Sequence, residues 1–282
     1  MQNEANAFNS KDIEYLRHGD RAMTMRLTRP SGKGPYPVVV DLHGGAWTKG
    51  NLSECAARGE ALARAGIASA ALDFRHAEDG YPSSLLDINY CVRWLKANSD
   101  SLSLDADRIG LSGQSSGGHL AMLAAMRPNK TPYGTLTGVD AKLDASVSCV
   151  SMTWPVINPL SRYRHALRLR AADNPPAWTA DIPERHDLYW KSEANMAEGN
   201  PMLALERGES VQTPPAIWVQ GRPDPIHDYR DPQSPVALNE PERFVQAYRK
   251  AGGRIDLVYI ENAERNTTSL APVVRFFSTA LA

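Results

Sequence analysis

Arg108-Ile109-Gly110-Leu111-Ser112-Gly113-Gln114-Ser115-Ser116-Gly117-Gly118-His119-Leu120-Ala121 decides the fold. Arg108–Leu111 reads as a short strand, and Ser116–Met126, rich in Ala and Leu, reads as a helix. Between them lies Gly113-x-Ser115-x-Gly117. A serine on a sharp strand-to-helix turn has an exposed Oγ, because small neighbours let the backbone bend. The helix N-terminus then turns its free amides and positive dipole end towards any negative charge that develops there. A glycine turn without chemistry is the plainer alternative, but the strand before and the helix after favour a nucleophile at Ser115.

Reading outward, strands and helices alternate on both sides. Residues 13–27 alternate apolar and polar side chains, the mark of paired edge strands. Pro37–Leu42, Ile67–Leu72, Arg108–Leu111, Ala145–Met152, Ala216–Val219 and Ile255–Ile260 read as strands. Helices are expected at Asn51–Ala65, Ser83–Ala97, Ser116–Met126 and Glu240–Ala251, and from about Leu270. Asn51 or Ser53 would cap the first of these and Gly66 would end it. The pattern predicts one α/β domain over residues 1–282, with a mostly parallel, doubly wound sheet and helices on both faces. Residues 155–212 break the rhythm with prolines, tryptophans and a basic stretch, and are read as a lid-like cap inserted in the domain.

His43-Gly44-Gly45-Ala46-Trp47 follows the Pro37–Leu42 strand directly. Paired glycines let a loop aim backbone N–H groups at one point, which an oxyanion hole requires. The amides of Gly44, Gly45 and Ser116 are the candidates. His43 reads as a hydrogen bonder that shapes the loop rather than a proton carrier.

The run Asp41-Leu42-His43-Gly44-Gly45, Asp73-Phe74-Arg75, Tyr81-Pro82, Asp87, Arg93-Trp94-Leu95, Asp107-Arg108-Ile109 and Gly113–Ala121 resembles the HGG-type serine esterases of the α/β-hydrolase superfamily. These are the hormone-sensitive-lipase-like, acetyl-xylan and feruloyl esterase-like, and kynurenine-formamidase-like groups. The resemblance is close from about Pro37 to Met126 and holds in outline over the C-terminal third. It implies the α/β-hydrolase fold and hydrolysis of a small carboxylic ester or amide through Ser115. Where this chain has Ser116 the family usually has Ala, and His119 belongs to its pattern as a helix residue, not as the base. After Ala216–Val219, Gln220-Gly221-Arg222-Pro223-Asp224 resembles the family's acid loop, so Asp224 is the candidate acid, with Asp228 and Asp231 as alternates.

The base departs from that pattern. The family places a histidine after the last strand. Here the corresponding loop is Glu261-Asn262-Ala263-Glu264-Arg265-Asn266, and no histidine follows His227. A guanidinium stays protonated near neutral pH and cannot take a proton from serine. Three readings follow. His227, on the acid loop, supplies the base of an atypical triad, against the plainer reading of a solvent-exposed loop histidine. Alternatively, the site has been turned to elimination, decarboxylation or cyclisation, with Arg265 holding an anionic group and Glu264, Asp224 or His227 moving the proton. Or the chain is a silent relative, or an inactivated variant, that only binds.

Arg164 and Arg168 lie four apart and would share a helix face. With Arg265 they could favour a carboxylate-bearing substrate, although a solvated face is the plainer reading. Trp47, Trp154, Trp178 and Trp190 could line a pocket for an aromatic group or could simply pack. The partner is therefore expected to be a small carbonyl compound. A net charge of −1 gives no broad electrostatic case for nucleic acid or an anionic membrane. No apolar run approaches the ~18–20 residues of a membrane span. Met1–Asp12 lacks the layout of a secretory leader, so a cytoplasmic protein, or one whose leader was removed, is expected. Cys55, Cys91 and Cys149 have no metal-type spacing and read as buried thiols. No metal or organic cofactor is expected.

Overall fold

The computed structural model describes residues 7–282. The reading of Met1–Asp12 therefore falls partly outside the described residues. One eight-stranded sheet runs through the chain in the order β1-β2-β4-β3-β5-β6-β7-β8. Strands β1 (Phe8–His18) and β2 (Arg21–Pro30) form the antiparallel edge. β2 pairs antiparallel with β4 (Ala68–Leu72), and from there β3 (Tyr36–Leu42), β5 (Leu104–Gln114), β6 (Cys149–Thr153), β7 (Ala216–Arg222) and β8 (Ile255–Glu261) are parallel.

The central strands are buried on both faces. Val38, Val39, Val40 and Leu42 of β3 have no exposed surface, the signature of a parallel strand covered by helices on either side. Those helices are α1 (Ala56–Arg64), α2 (Ser83–Ala97), α3 (Ser99–Leu102), α4 (Ser116–Met126), α9 (Glu240–Lys250), α10 (Arg265–Thr268) and α11 (Leu270–Ala280). The first one predicted, Asn51–Ala65, is split. Asn51 accepts from the Ser53 amide and opens a 3-10 turn at Leu52–Cys55, which α1 continues. β6 starts at Cys149 rather than Ala145, because its pairing with β5 begins only at Gly110↔Cys149.

Between β6 and β7 the chain forms α5 (Pro159–Arg170), α6 (Ile182–Trp190), α7 (Glu193–Glu198) and α8 (Pro201–Glu206). Asn158, Ser192 and Asn200 accept from amides in the first turns of α5, α7 and α8, and each residue is a good N-cap. These helices pack on the end of the sheet where β3 and β5 finish. Trp47, just past β3, is 2% exposed and stacks on Tyr189, with Trp190 and His186 meeting it edge-on. All three cysteines are free and buried. Among the described residues no helix is long and apolar enough to cross a membrane.

Candidate active site

Ser115 joins β5 to α4 with φ 50° and ψ −118°. A non-glycine residue rarely adopts positive φ, and such strain persists only where the surroundings over-determine it. They do so here. The Ser115 amide donates to Thr153 O at 3.0 Å, and the Ser115 carbonyl accepts from Val156 N at 3.1 Å and His119 N at 3.2 Å. The glycines on either side are required by contact. A Cβ on Gly113 would sit 2.3 Å from the Gly117 carbonyl, and one on Gly117 would sit 2.4 Å from the carbonyl oxygens of Leu42 and His43. β5, α4 and the end of β3 are therefore locked backbone to backbone.

That lock places the glycine loop. A Cβ on Gly44 would lie 3.5 Å from Ser115 Cβ, so this glycine flanks the serine. Gly45, Ala46 and Trp47 all have positive φ. The strained loop is pinned by the buried Trp47 and by His43. His43 stacks on Phe74 at 4.4 Å between centroids, and its Nδ1 lies 2.8 Å from Gly44 O. Burial lowers the His43 pKa. The ring is thus a neutral support for the loop, as the sequence led us to expect. His119 is held as tightly: its Nδ1 accepts from Trp47 Nε1 at 3.3 Å and its Nε2 lies 2.8 Å from Gly199 O. Burial pushes its pKa down to about 4.

On the other side stands a turn after β7. His227 Nε2 is 3.2 Å from Ser115 Oγ, and His227 Nδ1 is 2.9 Å from Asp224 Oδ2. Serine, imidazole and carboxylate lie in line, with the carboxylate and the imidazole on one short turn. The carboxylate is heavily engaged. Oδ1 accepts from the amides of Ile226 at 3.1 Å and His227 at 3.3 Å, and Oδ2 also accepts from Gln220 Nε2 at 3.2 Å. Burial acts to raise the Asp224 pKa, but the hydrogen bond and charge of His227 and the charge of Arg265 outweigh it and leave the carboxyl below its ordinary value. With Nδ1–H donating to this carboxylate, Nε2 is the free acceptor facing the serine hydroxyl. The solvent-exposed reading of His227 is corrected: the residue is 6% exposed, because the Asp224 turn tucks its ring inward.

Arg265, at the start of α10, also reaches Asp224. Its Nη1 donates to Oδ2 at 3.2 Å and to Asn262 Oδ1 at 2.9 Å, and its guanidinium lies 4.6 Å from the centre of the Trp154 ring. The pKa of His227 is lowered first by burial, with the guanidinium charges of Arg162 and Arg265 adding to this and Asp224 opposing it. The alternates for the acid lie elsewhere: Asp228 pairs with Arg222 at 2.5 Å, and Asp231 is 3.8 Å from Arg243.

At two places the structure agrees with the plainer of the two readings. Arg164 and Arg168 do not face the site. Arg164 bonds Gln233 at 2.8 Å and Glu193 at 2.6 Å, and Arg168 is exposed, because α5 turns its Ser161, Arg162 and Ala166 side inward. Nor do the four tryptophans form one pocket wall: Trp47 and Trp190 pack on each other in the core, and Trp154 lies against Arg265. The sequence reading missed Arg162, a buried cation beside His227. Its one signal was the i,i+4 spacing to the small Ala166 on a helix whose other arginines point outward.

The BD-FAE family model matches residues 26–178. The probable carboxylic ester hydrolase LipM of Mycobacterium tuberculosis is 37% identical over 264 residues, covering 89% of this chain and 54% of LipM. The esterase LipC of the same organism is 35% identical over 118 residues, 38% of this chain and 28% of LipC. This chain thus spans about half the length of LipM and less of LipC. Among solved structures, a Pyrobaculum calidifontis esterase superposes with a TM-score of 0.74 at 20% identity, over 97% of this chain and 86% of that one. The carboxylesterase EstE1, cloned from a metagenomic library, gives 0.74 at 19% identity over 97% and 90%. At these identities the likeness carries the fold. Together with the elbow and the HGG loop, these matches show that the chain belongs to the BD-FAE family and is an HGG-type protein of α/β-hydrolase fold.

Proposed function

We propose that this chain hydrolyses small carboxylic esters through Ser115, with His227 as base and Asp224 as acid. The observation that carries the reading is the line from Ser115 Oγ to His227 Nε2 at 3.2 Å and from His227 Nδ1 to Asp224 Oδ2 at 2.9 Å. The names of the relatives, carboxylic ester hydrolases and esterases, support it.

In this reading His227 Nε2 takes the Ser115 proton as Oγ attacks the ester carbonyl. The carbonyl oxygen becomes an oxyanion, held by the amides of Gly44, Gly45 and Ser116. Collapse expels the alcohol, which takes the proton from His227, and Ser115 remains acylated. Water then attacks the acyl group, His227 accepts its proton, and the acid leaves as Ser115 Oγ is reprotonated. Asp224 stays ionised throughout, fixing the tautomer and stabilising the transient imidazolium. Arg265 stands where family members carry the histidine and, by binding Asp224 Oδ2, acts as a positioning residue. Helices α5–α8 serve as a cap over the substrate.

The non-hydrolytic reading arose from the want of a base and required a free Arg265. An imidazole beside Ser115 removes the first motive, and the bonds of Arg265 to Asp224 and Asn262 weigh against the second. The test is p-nitrophenyl acetate hydrolysis by the protein and by its Ser115→Ala form. The expected loss in kcat is on the order of 10⁴- to 10⁶-fold. Equal, near-background rates in the two proteins would contradict the reading.

A further inference from the structure

Arg162, on the inner face of α5, is 4% exposed, and its Nε and Nη1 have no hydrogen-bond partner. Among the described residues its side chain donates no hydrogen bond. Burial lowers its pKa to about 10, so it is still a cation at neutral pH. A charge held out of water without a hydrogen-bonded partner is strongly unfavourable, and such groups call for a functional explanation. Asp224 and Asp181 lie near enough to act on it through charge alone.

The guanidinium lines a narrow cavity that it shares with His227, Val156, Ile157, Ile226, Tyr229 and Glu240. His227 is the residue whose Nε2 meets Ser115. The cavity, about 10 Å³, has room for one water-sized polar group, such as one oxygen of a carboxylate, but not for a ring. Seclusion from water strengthens any charge-assisted bond made inside. A planar guanidinium suits a carboxylate better than an ammonium would. Glu240 is the carboxyl in the cavity wall that opposes an anion, and the charges of Asp224 and Asp181 add to it. The Glu240 carboxyl is raised by burial to about 7, and Arg243 pairs with it at 3.0 Å, so its negative charge is largely offset.

We propose that Arg162 anchors a carboxylate carried by the substrate, so that the preferred ester is a half-ester of a short dicarboxylic acid. The inference rests on the hydrolase reading above and adds the substrate class. One oxygen of the free carboxylate enters the cavity and pairs with the unpartnered guanidinium, while the ester carbonyl lies between Ser115 and the glycine loop. Arg162 is then both the specificity residue and a source of positive charge near the Asp224–His227 pair.

The experiment compares monoethyl succinate with diethyl succinate, followed by acid release in the native protein and in Arg162→Met and Arg162→Lys. The native protein should favour the monoester in kcat/KM by at least about tenfold. Arg162→Met should collapse that ratio towards one, chiefly through KM for the monoester, and Arg162→Lys should restore part of it. Removing a buried unpaired charge in favour of a similar apolar volume is often neutral or stabilising, and thermal unfolding checks that Arg162→Met folds. Equal loss on both esters, with a shifted pH profile, would overturn the proposal and leave Arg162 as a charge near the triad only. Binding of monoethyl succinate to Ser115→Ala, read by calorimetry, decides the site without turnover. Binding that diethyl succinate does not match supports it, and equal or undetectable binding of the two overturns it. If neither ester is hydrolysed although p-nitrophenyl acetate is, the proposal is overturned and the hydrolase reading stands; if p-nitrophenyl acetate is not turned over either, the hydrolase reading falls and the binding result alone judges Arg162.

Discussion

The two walls of the site are built in different ways. The Ser115 wall is steric: Gly113 and Gly117 sit so close to neighbouring carbonyls that a single methyl would lie 2.3–2.4 Å from them, and Ser115 is forced into a strained conformation. The Asp224–His227 wall is a turn held by hydrogen bonds, with Asp224 accepting from Ile226, His227, Gln220 and Arg265. Close backbone contact admits only glycine, so its sequence signature is narrow. A hydrogen-bonded turn can be assembled from many residue types, and an imidazole can enter from any element that reaches the same point. The Ser115 wall thus keeps a recognisable motif, while in the proposed mechanism the base stands on the acid's own turn.

That contrast can be broken in three places. Asp224→Asn should be the most damaging, lowering kcat by about 10⁴-fold, because an amide can present an N–H to His227 Nδ1 and favour the wrong tautomer. A loss below tenfold in steady-state ester hydrolysis would mean that the turn does not orient the base. Gly117→Ala tests the other wall. Its Cβ would meet two carbonyl oxygens, so denaturant unfolding should show a loss of about 1–3 kcal/mol or more, whereas Arg265→Gln should unfold close to the native midpoint. Similar losses in both would erase the distinction between a steric and a hydrogen-bonded wall.

Arg265→Gln should have the smallest effect, and it is a pH effect. The Arg265 charge helps to hold the His227 pKa down, and the neutral imidazole is the active form. Removing that charge makes the imidazolium easier to form, so the acid limb of the kcat/KM profile should move to higher pH. The plateau should change by less than about tenfold, since the remaining donors still fix Asp224. An acid limb that stays in place, or moves to lower pH, would show that Arg265 does not act on the base.

The fold was largely legible because its signals are periodic. Alternation at residues 13–27, β-branched strands and the helical spacing of Ser83–Ala97 match β1–β2, the parallel strands and α2. Element ends were less so: β5 runs on at both ends of Arg108–Leu111 through pairing that no local pattern announces. The Ser115 turn and the glycine loop could be read because their constraint is local. The relation of His227 to Asp224 was readable only as nearness in sequence. What turns the ring inward is the set of amides and side chains gathered around one carboxylate from β7, its turn and α10. Arg162 was hidden among four arginines in one helix, and only the packing of α5 shows which of them is buried.

The most direct test of the central claim is the rate at which Ser115 is labelled by a fluorophosphonate in the native protein and in His227→Ala, with Arg265→His added to the latter as a third arm. A base at His227 predicts fast labelling in the native protein, a fall by several orders of magnitude in His227→Ala, and partial recovery when a histidine is placed at position 265 beside Asp224. Undiminished labelling in His227→Ala would contradict the account and show that another group activates Ser115.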